Sequence, residues 1–198
     1  TIARMHAVGA RQPFSQRPQI NAQRFGHDSR NFLLENNFLP PEMESAYASV
    51  SEHLLQRITP LLQDAPNIRI HGDCHMGNIL WRDQVPHFVD FDDCMMGPPI
   101  QDLWMLLSGE RYDQTGQLAT ILDAYNDFYP FDVSSLNFIE PLRTLRIMHH
   151  AAWIARRWHD GLFKRTFSHF GTLQYWQRET QDLREQIARI QMTMQAYY

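Results

Sequence analysis

A chain of 198 residues with 43% hydrophobic content can bury roughly 70% of its unfolded surface in one core, so a single domain spanning residues 1–198 is the expectation. Its formal charge of -4 and pI near 6.2 lack the cationic surplus that a phosphate backbone requires, which excludes nucleic acid as an expected partner. No apolar run approaches the roughly 20 residues of a membrane span, and the two cysteines, Cys74 and Cys94, are too few for a disulfide framework. A soluble monomer in a reducing cytoplasm fits these facts.

In chain order, Thr1 to Gly9 reads as the end of a helix already in progress, with Gly9 as its terminator. With no initiator Met and no signal peptide, the sequence is expected to continue an upstream polypeptide. Residues 11–40, rich in prolines and polar turns, are expected to drape over the surface with little regular structure. From Glu42, the apolar residues Met43, Ala46, Tyr47, Val50, Leu54, Ile58 and Leu61 mark one face of a helix that Pro60 kinks or ends. Residues 1–66 thus form a mainly helical lead-in. Residues 67–104 hold the only strand-like runs, at Ile68-Arg69-Ile70, Asn78-Ile79-Leu80-Trp81 and His87-Phe88-Val89-Asp90-Phe91, with a hairpin connection over residues 82–86. A helix begins by Asp102, and residues 105–198 form a helical subdomain. Its segments are residues 117–129, a helix from Leu136 striped by Leu142, Leu145, Met148, Ala152 and Ala155, and one striped by Trp176, Leu183, Ile187, Ile190 and Met194. The aromatic group Trp153, Trp158, Phe163, Phe167, Tyr175 and Trp176 is assigned to core packing rather than to a substrate groove.

Chemistry concentrates between His71 and Asp102. Carboxylates are costly to gather and desolvate, so such a cluster serves a cation or a reaction. Phosphoryl transfer needs one carboxylate to orient the attacking hydroxyl, with an amide and a second carboxylate to hold Mg²⁺ against a triphosphate. Asp73, Asn78 five positions later, and Asp90 returned by a hairpin meet that specification. Two other readings compete. Gly72-Asp73-Cys74-His75 is part of a metallophosphoesterase pattern, but the further D-x-H and G-N-H motifs are absent from the sequence. A non-catalytic pseudokinase binding module would be expected to have lost a metal ligand, whereas all three polar residues are present.

The run His71-Gly72-Asp73-Cys74-His75-Met76-Gly77-Asn78 resembles the catalytic loop of aminoglycoside phosphotransferases and choline kinases, related to the H-R-D-x-x-x-x-N loop of protein kinases. Val89-Asp90-Phe91 resembles the metal-binding D-F-G strand, and Asp102-Leu103-Trp104 the helix whose buried Asp holds the loop. Leu80-Trp81-Arg82-Asp83, the run from Gln101 to Leu107, Ile139-Glu140-Pro141-Leu142-Arg143 and Ala152-Trp153 through Arg156-Arg157-Trp158 are similar to the bacterial stress response kinase A family of atypical serine/threonine kinases.

That resemblance implies an α+β, mainly α fold: the C-terminal lobe of a protein-kinase-like enzyme, with a β-hairpin carrying the site and the N-terminal lobe absent from this chain. It implies Asp73 as the catalytic acid–base group, Asn78 and Asp90 as Mg²⁺ ligands, and ATP as co-substrate. The implied acceptor is a Ser/Thr hydroxyl of a protein, with a small hydroxylated molecule as the alternative. His75, where protein kinases carry a phosphate-binding lysine, is left between phosphate contact and loop support. His71 and Asp102 are assigned structural support. Asp92 stands where D-F-G has glycine, and only eleven residues separate Asp90 from Asp102, too few for a regulated activation loop. The sole lysine, Lys164, lies beyond the catalytic loop, so the chain by itself is expected to be inactive. A disulfide between Cys74 and Cys94 would require Cα atoms within about 7 Å, and packing is the expected role of both.

Overall fold

The computed structural model describes residues 1–109 and 111–195, with side chains left undescribed at 111, 112, 194 and 195. It is a mainly helical α+β fold of two compact units. One comprises Thr1–Ile20 with Asp64–Ile139, the other Asn21–Gln63 with Glu140–Tyr198. Among the described residues, no helix is long and apolar enough to cross a membrane.

The first unit is built around two small antiparallel ladders. Helix α1 (Ile2–Gly9) packs on β1 (Ile68–Ile70), which pairs with β4 (Met95–Gly97) in the register Ile68↔Gly97 to Ile70↔Met95. Helix α1 ends at Gly9, as expected, but without a left-handed turn. The following Ala10 keeps right-handed geometry at φ -71°, and a Cβ on Gly9 would run into the Arg69 carbonyl oxygen. The glycine therefore permits close approach of helix and strand.

Strands β2 (Ile79–Arg82) and β3 (Val85–Phe88) form the expected hairpin. Its connection is shorter than the predicted 82–86: only Asp83 and Gln84 lie between the strands, with φ of 49° and 61°. Both central residues in the left-handed region match the twist of the flanking strands. Pro86 sits opposite Trp81 in a two-stranded ribbon, where a missing N–H is tolerated. The predicted third strand ends early, because Phe91–Asp93 turns into 3₁₀ geometry. Short α4 (Ile100–Trp104) and longer α5 (Arg111–Asn126) complete this unit, with a 3₁₀ segment over Val133–Phe138.

The second unit corrects one expectation. Residues 21–35 are not loop: a π-helical turn at Gln23–His27 runs into α2 (Asp28–Glu35), burying Phe25, Ser29 and Leu33. Gly26 lets α3 (Pro41–Leu61) and α6 (Ile139–Arg156) approach, since a Cβ there would strike the side chains of Leu55 and Leu145. Helix α3 carries Pro60 in its last turn and packs along α8 (Leu173–Gln195). Its buried Tyr47, Val50, Leu54 and Ile58 meet a stripe of Trp176, Leu183 and Ile190. Met194, the last residue predicted in that stripe, lies outside the described side chains.

The aromatic residues pack as a chain of rings across α6, α7 (Gly161–Thr166) and the start of α8. Trp153 meets Phe163 at 5.0 Å, Trp158 meets Phe170 at 4.9 Å, and Phe170 meets Trp176 at 5.8 Å. Fully buried Trp176 donates its indole N–H to the Phe38 carbonyl at 2.9 Å, which satisfies the one polar atom that its burial would strand.

Candidate active site

The loop leaving β1 turns sharply at Gly72, whose φ of 85° a side chain would strain and whose Cβ would lie 2.5 Å from the Asp93 carbonyl oxygen. This turn exposes two backbone N–H groups to one buried acceptor. Asp102, on α4 and fully buried, takes the N–H of His71 on Oδ2 at 2.7 Å and that of Gly72 on Oδ1 at 2.9 Å. A buried carboxylate so engaged is satisfied by charge-assisted bonds. Gln101, one residue earlier, reaches the Gly72 carbonyl at 3.4 Å.

The support continues away from the loop. His6 of α1 donates from Nε2 to Asp102 Oδ2 at 3.0 Å, and its Nδ1 accepts from the Tyr125 hydroxyl at 2.8 Å. Burial, then the charges of Tyr129 and Asp102, push the Tyr125 phenol well above its usual range and keep it a donor. Sequence reading assigned no role to His6 or Tyr125, which carry no motif, or to Gln101, which entered only within a segment of family resemblance. The only available signal was a histidine on the apolar face of the first helix.

His71 is buried and directs Nε2 to the Val89 carbonyl at 2.9 Å, tying the loop to the residue before Asp90. Its Nδ1 has no partner among the described residues. Asn78 is the last residue of a 3₁₀ turn, Met76–Asn78, and its carbonyl accepts the Val89 N–H at 3.1 Å, extending the hairpin ladder by one step. Asp90 is therefore one residue past the partner of Asn78. Asn78 donates its amide N–H to the Asp73 carbonyl at 2.9 Å.

Asp90 is exposed and adopts left-handed geometry at φ 62° and ψ 63°. For a residue other than glycine that conformation stores strain, and aspartate is among the few that tolerate it. Asp73 is half-buried, with His75 Nε2 at 3.4 Å from its Oδ2. His75 Nδ1 accepts the Gly77 N–H at 3.0 Å, so both ring nitrogens are engaged inside the loop. Asp92 and Asp93 are exposed in the 3₁₀ turn, and Arg17 binds the Asp92 carbonyl at 2.5 Å.

Cys74 and Cys94 are free thiols. Burial, reinforced by Asp102 and Asp73, raises the Cys74 thiol far above its usual range, which keeps it protonated and unreactive.

Among the described residues, no three His, Cys, Asp or Glu side chains converge as an all-protein metal site requires. A Mg²⁺ ion does not need such a cluster. Mg²⁺ takes one or two protein oxygens and fills its remaining positions with phosphate and water.

Known proteins resemble this chain along most of its length. Stress response kinase A of Salmonella choleraesuis is 40% identical over 186 residues, covering 93% of this chain and 56% of the relative. A protein of Salmonella typhimurium named serine/threonine protein kinase RdoA gives the same identity and coverage. Stress response kinase A of Escherichia coli strain K12 is 39% identical over 191 residues, 96% of this chain and 58% of the relative. The chain thus spans little more than half the length of these relatives.

Two solved structures share its fold. Amicoumacin kinase hAmiN, in complex with AMP-PNP, Ca²⁺ and Ami, superposes with a TM-score of 0.61 at 18% identity, covering 91% of this chain and 56% of that one. Spectinomycin phosphotransferase APH(9)-Ia, in complex with ADP and spectinomycin, gives 0.59 at 13% identity, covering 93% and 62%. The family model of APH, the phosphotransferase enzyme family, matches residues 1–138, a stretch that includes the whole loop, hairpin and Asp102 network, and this chain belongs to that family.

Proposed function

We propose that this chain is the larger, mainly helical C-terminal part of an ATP-dependent kinase that phosphorylates a hydroxyl group. Asp73 accepts the proton of the attacking hydroxyl, and Asn78 with Asp90 holds Mg²⁺ against the phosphates. The observation that carries this reading is the closure of the hairpin on the loop. The Val89 N–H bonds to Asn78 and the Val89 carbonyl to His71, so the residue after Val89 is held beside both.

Bound Mg²⁺·ATP supplies the γ-phosphoryl group and neutralises charge on its oxygens. The chain's own work is positioning. His75 steadies the Asp73 carboxylate, the Asn78 amide is locked by the Asp73 carbonyl, and the Asp102 network fixes the loop before substrate arrives. Such preorganisation avoids reorganisation at the moment of transfer.

The acceptor we favour is a Ser/Thr hydroxyl of a protein, in a stress response. Its support is the naming of relatives about 40% identical to this chain. A small hydroxylated molecule is the second reading, favoured by the short path from Asp90 to Asp102. That path holds a 3₁₀ turn, β4 and the start of α4, shorter than the segment that usually forms a peptide platform.

The test is transfer of labelled γ-phosphate by the full-length protein to a protein panel and to a panel of hydroxylated metabolites. Label on serine or threonine supports the first reading, and label on metabolites alone supports the second. Nucleotide binding without any transfer would leave a non-catalytic binding module.

A further inference from the structure

Gly77 lies exposed in the 3₁₀ turn Met76–Asn78, and its φ is outside the left-handed region that favours glycine. Backbone conformation therefore does not explain the residue. Its surroundings do. A Cβ added at Gly77 would lie 2.7 Å from His75 Cε1 and 2.9 Å from His75 Nδ1, well inside the roughly 3.5 Å at which non-bonded carbon atoms rest. Chain neighbours aside, no other described atom comes within 4 Å of that position. The missing side chain makes room for one imidazole ring.

That ring is held by its two nitrogens more than by packing, since 43% of the His75 side chain is exposed. Nδ1 accepts the Gly77 N–H at 3.0 Å. An accepting Nδ1 carries no proton, so the ring proton sits on Nε2 and the imidazole is neutral in this arrangement. Nε2 lies 3.4 Å from Asp73 Oδ2, and what it offers the carboxylate is a donor. The backbone beneath the ring is tied on both sides. The His75 N–H donates to the Asp73 carbonyl at 2.9 Å, and the His75 carbonyl accepts the Asn78 N–H at 2.9 Å.

We propose that Gly77 and His75 act together as positioning residues for Asp73. The absent side chain at 77 lets the His75 ring fold back onto the turn, and the Nε2–H then sets the plane of the Asp73 carboxylate. This role presupposes Asp73 as the proton acceptor, as read above, and adds no step to the transfer: the proton of the attacking hydroxyl still ends on Asp73. It also separates His75 from the lysine that protein kinases carry at this place. A neutral ring whose second nitrogen is taken by Gly77 brings no positive charge to a phosphate, so its loss acts on turnover and not on nucleotide affinity.

The test uses the full-length protein and reads release of labelled phosphate from γ-labelled ATP, with water as the acceptor. Gly77→Ala keeps the Asp73, His75, Asn78 and Asp90 side chains and displaces the imidazole alone. Its kcat should fall about 10- to 100-fold, the scale on which a misplacement of about 1 Å is felt, while KM for ATP and the melting temperature stay close to those of the parent. His75→Ala should lose as much, and the double variant no more than either, because both changes remove the same contact. His75→Gln, which keeps an uncharged donor and an acceptor, should recover part of the loss, and His75→Lys should not. Nitrogen NMR at a pH where imidazoles are neutral should find the His75 proton on Nε2 in the parent and a mixture of the two tautomers in Gly77→Ala.

Full turnover in Gly77→Ala, additive losses in the double variant, a loss carried by KM for ATP, or better rescue by lysine than by glutamine overturns the proposal. Asp73→Ala, run beside these, keeps the two readings apart. If it too turns over ATP normally, Asp73 is not the proton acceptor and both readings fall, whereas an inactive Asp73→Ala beside a fully active Gly77→Ala removes only the role of Gly77 and His75. Should Gly77→Ala disturb the fold, the kcat and KM of the three His75 variants decide the matter.

Discussion

The buried carboxylate of Asp102 accepts the backbone N–H of His71 at 2.7 Å across 31 positions of sequence. Three donors converge on its two oxygens: the N–H groups of His71 and Gly72, and His6 Nε2. Asp102→Asn would turn an NH₂ toward one of them and strand a buried donor. We expect a loss of about 2 kcal/mol in unfolding free energy, together with a fall in turnover as the loop loosens. Denaturant midpoints measured beside kcat check this, and a variant of native stability and full turnover would refute it.

Asp73→Ala removes the proposed proton acceptor without touching that network. The full-length enzyme should keep its melting temperature within a degree or two while turnover drops roughly 10²- to 10⁴-fold, the usual range for a positioned acid–base group. Unchanged turnover would sink the assignment.

Asp90 separates chemistry from backbone strain. Its left-handed geometry is costly for alanine and free for glycine, a difference of about 1 kcal/mol. Asp90→Gly should therefore be more stable than Asp90→Ala, while both lose Mg²⁺-dependent nucleotide binding in the full-length protein. Calorimetric titration with and without Mg²⁺ reads the second effect. If either variant binds Mg²⁺·ATP normally, the metal role is wrong.

The parts of this fold that sequence made legible are those in which one segment carries its own signal. The stripes of α3, α6 and α8 repeat every three or four residues because each buries one face, and the His71 to Asn78 run is dense enough to mark a loop. What stayed hidden depends on distant partners. Strand β4 is Met95-Met96-Gly97, without a β-branched residue, and exists because β1 pairs with it. The helical run from Gln23 to Glu35 has a polar sequence and is held by the few residues it buries. His6 and Tyr125 lie 119 positions apart, and only the folded chain shows that they brace the same carboxylate.

Two side chains of the second unit should make stability depend on pH with opposite signs. Burial, then Asp182, raises Glu179 from its ordinary 4.5 to about 8. The folded state thus holds a proton that the unfolded state releases, and this contribution to stability is lost as pH rises from 4.5 to 8. His149 falls from 6.5 to about 4, so its contribution is present above 6.5 and lost as pH drops toward 4. The two oppose each other below pH 6.5, and above it only the Glu179 decline remains. Melting temperatures across pH 4 to 8 should show that decline disappear in Glu179→Gln, while His149→Phe removes the loss on the acid side.

The last prediction is that the 198-residue chain alone transfers no phosphate at a useful rate. Kinases of this kind cover the phosphates with a small β-rich lobe that supplies a lysine to the α- and β-phosphates. The one lysine here, Lys164, comes after the loop, exposed on short α7, and no G-x-G occurs in the sequence. The hairpin that carries the site exposes large apolar side chains, with Leu80 at 56% and Trp81 at 63% of their surface, as would be expected where covering chain belongs. Without that cover, Mg²⁺·ATP would meet one wall of its cleft and lose both orientation and charge stabilisation. Calorimetry and a turnover assay on this chain, run beside a protein of the relatives' full length, give the answer: micromolar ATP affinity with turnover in the shorter chain would mean that the loop, hairpin and Asp102 network suffice by themselves, and the two-lobe reading would have to go.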